Sequence, residues 1–271
     1  MQYEPIKRSL GGFFKKSIFL KKVLYFLLDL LLLRSWHVRK YLKKTALNIP
    51  VDAVVLDAGS GFGQYTWRMS SLYRKWKIKG MDINKEEIDQ CNEFFRITGR
   101  SDRVIFEMLD LTMLKEKNQY DLILTVDVME HIEKDENVLL NFFNALKNNG
   151  YLIISTPSDR GGSDAHHDDD DSFIDEHVRN GYSKEDITNK LLGAGFTSID
   201  VKYTYGKSGH LSWVLSMKYP VKMLNRSYLF FIILPFYYLV FFPVAFFLNI
   251  IDMYSGHKSG TGLLVTAEKI K

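Results

Sequence analysis

The 271-residue chain has one cysteine, Cys91, so it can form no internal disulfide and no cysteine-based metal site. That suits a reducing compartment, and a packed thiol is the simplest role for Cys91. A strong charge of one sign is missing too. The 36 Lys and Arg against 32 Asp and Glu leave a net charge of only +4, too small to argue for a nucleic-acid partner. The distribution is uneven, however: residues 1–50 hold eleven Lys or Arg against only Glu4 and Asp29, and Tyr228 to Ile251 carries no charge at all. The length accommodates one catalytic core with elaborations.

From Phe13 to Lys44, basic groups (Lys15-Lys16, Lys21-Lys22, Arg34, Arg39-Lys40, Lys43-Lys44) alternate with apolar runs such as Val23 to Leu28 and Leu30 to Leu33. The pattern predicts a helix. Asp29 interrupts the apolar run and no small-residue cleavage pattern follows, which reads against a signal peptide, and the run is short for a membrane span. A basic helix with an apolar face suits the headgroup region of a bilayer; the alternative is a helix packed over the following domain.

Strand-like runs at 53–56, 78–81, 104–109, 122–126 and 151–155 alternate with helical patterns such as Lys85 to Arg96 and Asp135 to Lys147. Such alternation implies parallel strands joined by right-handed crossovers in a doubly wound sheet. Asn148-Asn149-Gly150 offers a helix stop. An acidic loop from Pro157 to about Tyr182 is long enough to be a substrate lid. Ser183 offers an N-cap, Gly193 to Phe196 a helix end, and 199–205 and 262–268 a sixth and a seventh strand.

Tyr228 to Ile251 is dense in Phe, Tyr, Leu and Ile and has the composition of a membrane span. If the strands on either side share a sheet, both ends return to one side of the bilayer, which excludes a single pass. Pro235 and Pro243 are expected to break or kink helix, so the expected geometry is a shallow re-entrant hairpin or a broken interfacial helix. The alternative is an apolar helical pair packed on the protein or in a dimer interface.

The strongest local signal is Val54 to Gly63, a buried strand running into a glycine-rich turn that opens a helix. The dinucleotide spacing Gly-x-Gly-x-x-Gly is not met, because the glycines fall at Gly59, Gly61 and Gly63 and Gln64 stands where that pattern wants glycine. Asp82, at the end of the next strand, can accept hydrogen bonds from both hydroxyls of a ribose. Asp110 follows the third strand, and the fourth ends in Asp127-Val128-Met129-Glu130-His131-Ile132.

Asp57-x-Gly59-x-Gly61-x-Gly63 resembles motif I of the class I S-adenosylmethionine-dependent methyltransferases. Asp127 to Ile132 resembles the post-strand motif of their ubiquinone-type members. The resemblance covers residues 51–205 and resumes near 261–269. It implies an α/β, Rossmann-like class I methyltransferase fold with a seven-stranded sheet in the order 3-2-1-4-5-7-6, to which the N-terminal helix and the apolar insertion between strands six and seven are additions. The domains expected are a basic helical segment at 1–48, a methyltransferase domain at 49–210 and 258–271, and a membrane-associating insertion at 211–257. The cofactor implied is S-adenosyl-L-methionine, with Asp57, Gly59, Gly61, Gly63, Asp82, Asp110 and Asp127 as its binding residues and Asp110 near the adenine amino group.

Methyl transfer from an activated donor needs in-line placement and, for a weak acceptor, a general base. His131 is the first candidate, since histidine titrates near neutrality; a structural cap is its alternative role. His177 and Arg179 are candidate substrate-side residues, and Tyr182 either lines the pocket or packs beneath the lid. The His and Asp run at 164–171, with His166 and His167, matches no defined metal site, so no metal is expected. The combined reading is a methyltransferase acting at oxygen of a hydrophobic small molecule or lipid on the cytoplasmic face of a membrane, such as a bacterial inner membrane. An inactive membrane-bound scaffold and a nucleic-acid methyltransferase are the alternatives. No nucleic-acid partner is expected, because the basic residues sit among aliphatic runs and no Asn-Pro-Pro-Tyr motif follows strand four.

Overall fold

The computed structural model describes residues 17–160, 178–227 and 229–270. The expected start of the first helix at Phe13 and the histidines His166, His167 and His177 lie outside them. The expected single helix at the N-terminus is two: α1 (Ile18–Leu31), capped by the Ser17 hydroxyl, and α2 (Leu33–Thr45), separated by the extended backbone of Leu32. Then follow β1 (Val54–Ala58), α3 (Gln64–Leu72), β2 (Lys77–Asp82), α4 (Lys85–Ile97), β3 (Val104–Met108), β4 (Tyr120–Val126), α5 (Asp135–Ala145), β5 (Leu146–Pro157), α6 (Lys184–Ala194) and β6 (Ser198–Thr204). After β6 come α7 (Lys207–Trp213), α8 (Tyr219–Arg226), α9 (Phe230–Tyr254) and β7 (Gly262–Glu268).

The seven strands form one sheet in the order β3-β2-β1-β4-β5-β7-β6, as the resemblance implies. The first five are parallel, and β7 runs antiparallel to both β5 and β6. Alternate residues of each strand feed two cores. One face, with Leu56, Ile123 and Ile154, packs against Val138, Leu139 and Phe142 of α5 and Leu191 of α6. The other, with Val55, Leu122 and Ile153, packs against Phe95 of α4, Met69 of α3, Val38 and Leu42 of α2 and Tyr25 of α1. Near-continuous apolar strands are the consequence of burial on both faces.

Local chemistry sets the helix ends. Asn84 accepts hydrogen bonds from the Glu86 and Glu87 N–H groups at the start of α4, and Ser183 accepts one from Asp186 N–H, 3.0 Å away, at the start of α6. Gly195, at φ 108°, ends α6. The expected stop at Asn148-Asn149-Gly150 falls elsewhere: α5 ends at Ala145 and Leu146 already pairs with Tyr120. Asn149, left-handed at φ 63°, instead sits in an irregularity of β5, where the register with β4 shifts.

Between β6 and β7 the chain makes a helical hairpin. Its outgoing arm is α7, a π-helical turn (Val214–Lys218) and α8; Ser227, fully extended, turns the chain; α9 returns. Two findings correct the sequence-based expectation. The outgoing arm lies upstream of Tyr228, so the 24 uncharged residues need supply only one arm; Lys218, Lys222 and Arg226 hide the other from a hydropathy reading. Pro235 and Pro243 do not break α9, which continues for 25 residues. Each proline forfeits one backbone hydrogen bond, but contacts with the outgoing arm hold the helix: Tyr237 and Tyr238 donate to the carbonyls of Leu215 and Ser216, both at 2.8 Å, and the Ser212 hydroxyl donates to the Ala245 carbonyl at 2.9 Å.

Candidate active site

Parallel pairing places the carboxyl ends of β1 to β4 along one edge: Ala58 pairs with Met81 and Thr125, and Asp82 with Met108. The glycine turn, Asp82, Asp110 and Asp127 therefore share this edge, in the crevice where open α/β sheets take ligands. The turn needs its glycines. Gly59, Gly61 and Gly63 all have φ between 47° and 85°, and a Cβ on Gly59 would lie 2.2 Å from Val128 Cγ2. Asp82 holds the turn, accepting from Gly61 N–H at 2.8 Å and from Asn84 N–H at 2.9 Å. Asp57 lies beneath it, buried, accepting from the Thr66 hydroxyl at 2.5 Å; burial pushes its carboxyl up to about 6. Asp110 is exposed and accepts from Thr112 N–H and its hydroxyl.

Asp127 ends β4 at φ 51°, an uncommon conformation for a residue other than glycine, held by its N–H to the Ser155 carbonyl at 2.8 Å. Its carboxylate pairs with Arg34, which reaches the edge from α2. Around that guanidinium stand Tyr65, Tyr205 and Glu130. Burial disfavours the charge, but these three groups more than restore it, so Arg34 is a fixed cation. Its backbone N–H donates to the Tyr205 hydroxyl at 2.8 Å, and its Nε is buried with no hydrogen-bond partner. Tyr205 is also left-handed, at φ 55°. Two strained residues meeting one arginine is the kind of clustering found at functional sites.

His131 lies one short turn further on, exposed, its N–H bonded to the Val128 carbonyl at 3.0 Å. The neighbouring Glu130 is buried and accepts from the Thr156 hydroxyl at 3.1 Å. Arg179 is spent on the fold. It pairs with Asp135, meets the Tyr182 hydroxyl, and donates to the carbonyls of Ile132 and Glu133 at 2.9 and 3.1 Å. Tyr182 is fully buried, its hydroxyl 2.7 Å from Asp135 Oδ2, so it packs beneath the edge rather than lining a pocket. Together Arg179 and Tyr182 clamp the segment after the acidic loop to the segment after β4.

Sequence reasoning missed the N-terminal contribution. Tyr25 of α1 donates its hydroxyl to the Phe62 carbonyl of the glycine turn at 2.5 Å, and Asp29 pairs with Arg68 and accepts from Gln64 Nε2 at 3.1 Å. The available signal was Asp29 itself, an acid without an evident role inside an apolar run. Arg34 stood out only as one of the basic residues between the apolar runs, with nothing local to point it at β4.

A sheet of this order, with a glycine turn after β1 and acids closing β2, β3 and β4, defines a class I S-adenosylmethionine-dependent methyltransferase. A family model described as a methyltransferase domain matches residues 50–195, more than half of the chain, and the chain belongs to that family. Among curated relatives, phosphoethanolamine N-methyltransferase 1 of Triticum aestivum is 32% identical over 110 residues, 40% of this chain and 22% of that one. A ubiquinone biosynthesis O-methyltransferase of Rickettsia bellii (strain OSU 85-389) is 26% identical over 113 residues, 42% of this chain and 45% of that one. Both matches span less than half of the relative's length. Among solved structures, a putative sarcosine dimethylglycine methyltransferase from Galdieria sulphuraria shares the fold at a TM-score of 0.58 and 16% identity, over 88% of this chain and 84% of that one. Haemonchus contortus phosphoethanolamine N-methyltransferase 2, solved with S-adenosyl-L-methionine, does so at 0.57 and 17%, over 81% and 49%.

Proposed function

We propose that the chain transfers a methyl group from S-adenosylmethionine to an oxygen of a hydrophobic acceptor, a lipid or small molecule met at a membrane surface. The edge residues suit the cofactor. Asp82 can take a pair of ribose hydroxyls, Asp110 an adenine amino group, and the buried Ser60 Oγ, which has no hydrogen-bond partner, stands in the glycine turn. The adjoining Asp127 and Arg34 are complementary to an ammonium and a carboxylate, the two charges of the cofactor's amino-acid end. When bound, the cofactor supplies a methyl group already activated for displacement. The chain's own residues then hold the acceptor in line, exclude water and take a proton, and His131 at the mouth is the group proposed to take it.

The observation that carries the membrane half of the reading is where the hairpin starts. Because β6 runs parallel to β5 and β7 antiparallel to both, β6 ends and β7 begins at the same edge as the glycine turn. The hairpin thus springs from the catalytic edge. Its return helix is long and apolar enough to cross a bilayer, and Ile232, Phe236, Leu239, Val240 and Phe247 are exposed on it. Both arms end on one side, which suits a monotopic anchor on the cytoplasmic face. The names of the relatives differ in acceptor atom, one nitrogen and one oxygen, and the motif after β4 favours oxygen here.

Isothermal titration with S-adenosylmethionine tests the first half: micromolar binding is expected for the wild type and at least tenfold weaker binding for Asp82→Ala. Incubation with radiolabelled cofactor and membrane lipid extract tests the second. Label in an organic-soluble product, reduced at least tenfold in kcat by His131→Ala with cofactor affinity unchanged, is the expected result. Absence of cofactor binding by folded wild type would sink the enzyme reading.

A further inference from the structure

Arg34 is poorly served by its own helix. It is the second residue of α2, where the positive end of the helix opposes a cation and where Leu32, at the capping position, offers no side-chain bond to the first turn. The missing cap comes from far along the chain: the Tyr205 hydroxyl accepts the Arg34 N–H at 2.8 Å, across 171 positions. One turn further along α2, His37 Nε2 lies 2.9 Å from Asp252 Oδ1. Residues three apart share one face of a helix, so the face of α2 that carries Arg34 is held at two successive points. Both holders lie at the base of the hairpin.

Tyr205 and Asp252 are themselves joined. Tyr205 directly follows β6 at φ 55°, and its flanks keep it there. Its carbonyl accepts from Thr261 N–H at 3.2 Å, just before β7, and the next N–H, that of Gly206, donates to Asp252 Oδ2 at 2.9 Å. The same oxygen accepts from Gly209 N–H at 3.0 Å, so Asp252 caps α7, whose own capping residue, Gly206, has no side chain to do so. A Cβ on Gly209 would stand 2.6 Å from Asp252 Oδ2 and 2.7 Å from Leu33 Cδ2, so a glycine is what lets the carboxylate and α2 close in on α7. One carboxylate on α9 thus ties together α7, α2 and, through Gly206, the tyrosine that caps α2.

We propose that Tyr205 and Asp252 are positioning residues for Arg34, and that the base of the hairpin thereby forms part of the subsite for the carboxylate of the cofactor's amino-acid end. The inference rests on the methyltransferase reading above and deepens it: the insertion sets how well the site tells a ligand with an amino-acid end from an adenine nucleoside without one. Arg34 Nε is buried with no hydrogen-bond partner, a donor left over for an incoming acceptor. A guanidinium reads a carboxylate through a planar fork whose direction matters, so a tilt of α2 weakens binding at that end of the ligand. The groups proposed for ribose and adenine do not depend on the same support. Asp82 and Asp110 follow β2 and β3, on the other side of β1 from β4, and are held by bonds to Gly61, Asn84 and Thr112.

The test titrates the full chain, purified in detergent, by calorimetry with S-adenosylhomocysteine, which has the amino-acid end, and with methylthioadenosine, which lacks it. The wild type should bind the first at least tenfold more tightly. Tyr205→Phe removes the acceptor and keeps the ring; it should weaken S-adenosylhomocysteine at least fivefold and leave methylthioadenosine within twofold of wild type. Asp252→Asn, which keeps the shape and drops the charge, should move the ratio the same way, and it decides the matter if Tyr205→Phe fails to fold. A merely structural role would weaken both ligands alike. That result overturns the inference, as do unchanged affinities in the variants or a wild type that does not distinguish the two ligands. The two failures are separable: ligand binding with an unmoved ratio rejects the positioning role alone, whereas a folded wild type that binds neither ligand rejects the methyltransferase reading and this inference with it.

Discussion

Asp57 sits under the glycine turn with its carboxyl pushed up to about 6 by burial, and only the Thr66 hydroxyl and N–H oppose the shift. A carboxyl whose folded pKa exceeds its unfolded value favours the protonated fold, so it withdraws stability as pH rises from about 4 through about 6, by up to roughly 3 kcal/mol. Asp57→Asn keeps an acceptor for Thr66 and removes the charge. Its melting temperature relative to wild type should therefore rise between pH 5 and pH 8, which differential scanning calorimetry reads directly. Gly59→Ala should do the opposite at every pH. A methyl group 2.2 Å from Val128 on a backbone at φ 76° forces the turn to shift, with an expected stability loss of about 1–3 kcal/mol and a large loss of cofactor affinity. Arg34→Ala leaves Asp127 without its cation and is expected to weaken cofactor binding at least tenfold by titration, whereas Arg34→Lys should recover only part, lacking the planar fork.

Asp252, near the end of α9, joins the hairpin to the domain. Fully buried, it accepts from His37 Nε2 of α2 at 2.9 Å, from the Gly206 and Gly209 N–H groups at 2.9 and 3.0 Å, and lies 3.1 Å from His257 Nε2. Burial works to raise its pKa, but the His37 hydrogen bond, the two imidazoles and Gly209 outweigh it and hold the carboxyl below the ordinary range. A depressed folded pKa contributes stability that is present above the unfolded value, near 3.8, and is lost as pH falls through the lower folded value. Asp252→Ala abolishes that contribution and strands several donors. The expected result is a loss of about 3 kcal/mol and faster hydrogen exchange at the hairpin base, around residues 206–209, with the β1 to β5 core unaffected. Uniform acceleration across the sheet would show that the joint is not local.

For the molecule as a whole, the hairpin and the exposed side chains Phe19 and Phe26 of α1 leave apolar surface that the fold itself does not cover. Flotation with anionic vesicles should recover the wild type, while Phe236→Glu, Leu239→Glu and Phe247→Glu combined should leave most of it in solution with cofactor binding unchanged. Recovery should fall with added salt to the extent that Lys218, Lys222 and Arg226 contribute to attraction. A variant that stays on vesicles would place the contact elsewhere.

What the sequence by itself determined is the part written in local and periodic terms: seven strands, their helices, the glycine turn, and the acids at the strand ends. Each follows from neighbours within a few residues, such as Ser183 beside Asp186, or Gly59 and Gly61 beside the strand they follow. Tertiary structure decided what depends on residues far apart. Arg34 meets Asp127 across 93 positions, and His37 meets Asp252 across 215. Arg179, expected at the substrate, is turned inward by Asp135, and two prolines sit in an unbroken helix because a second helix, hidden by its own lysines, supports it. Propensity and pattern act over a turn or a strand, whereas burial and charge pairing act through space, and the position of Arg34, α1 and the hairpin relative to the catalytic edge is set only by the latter.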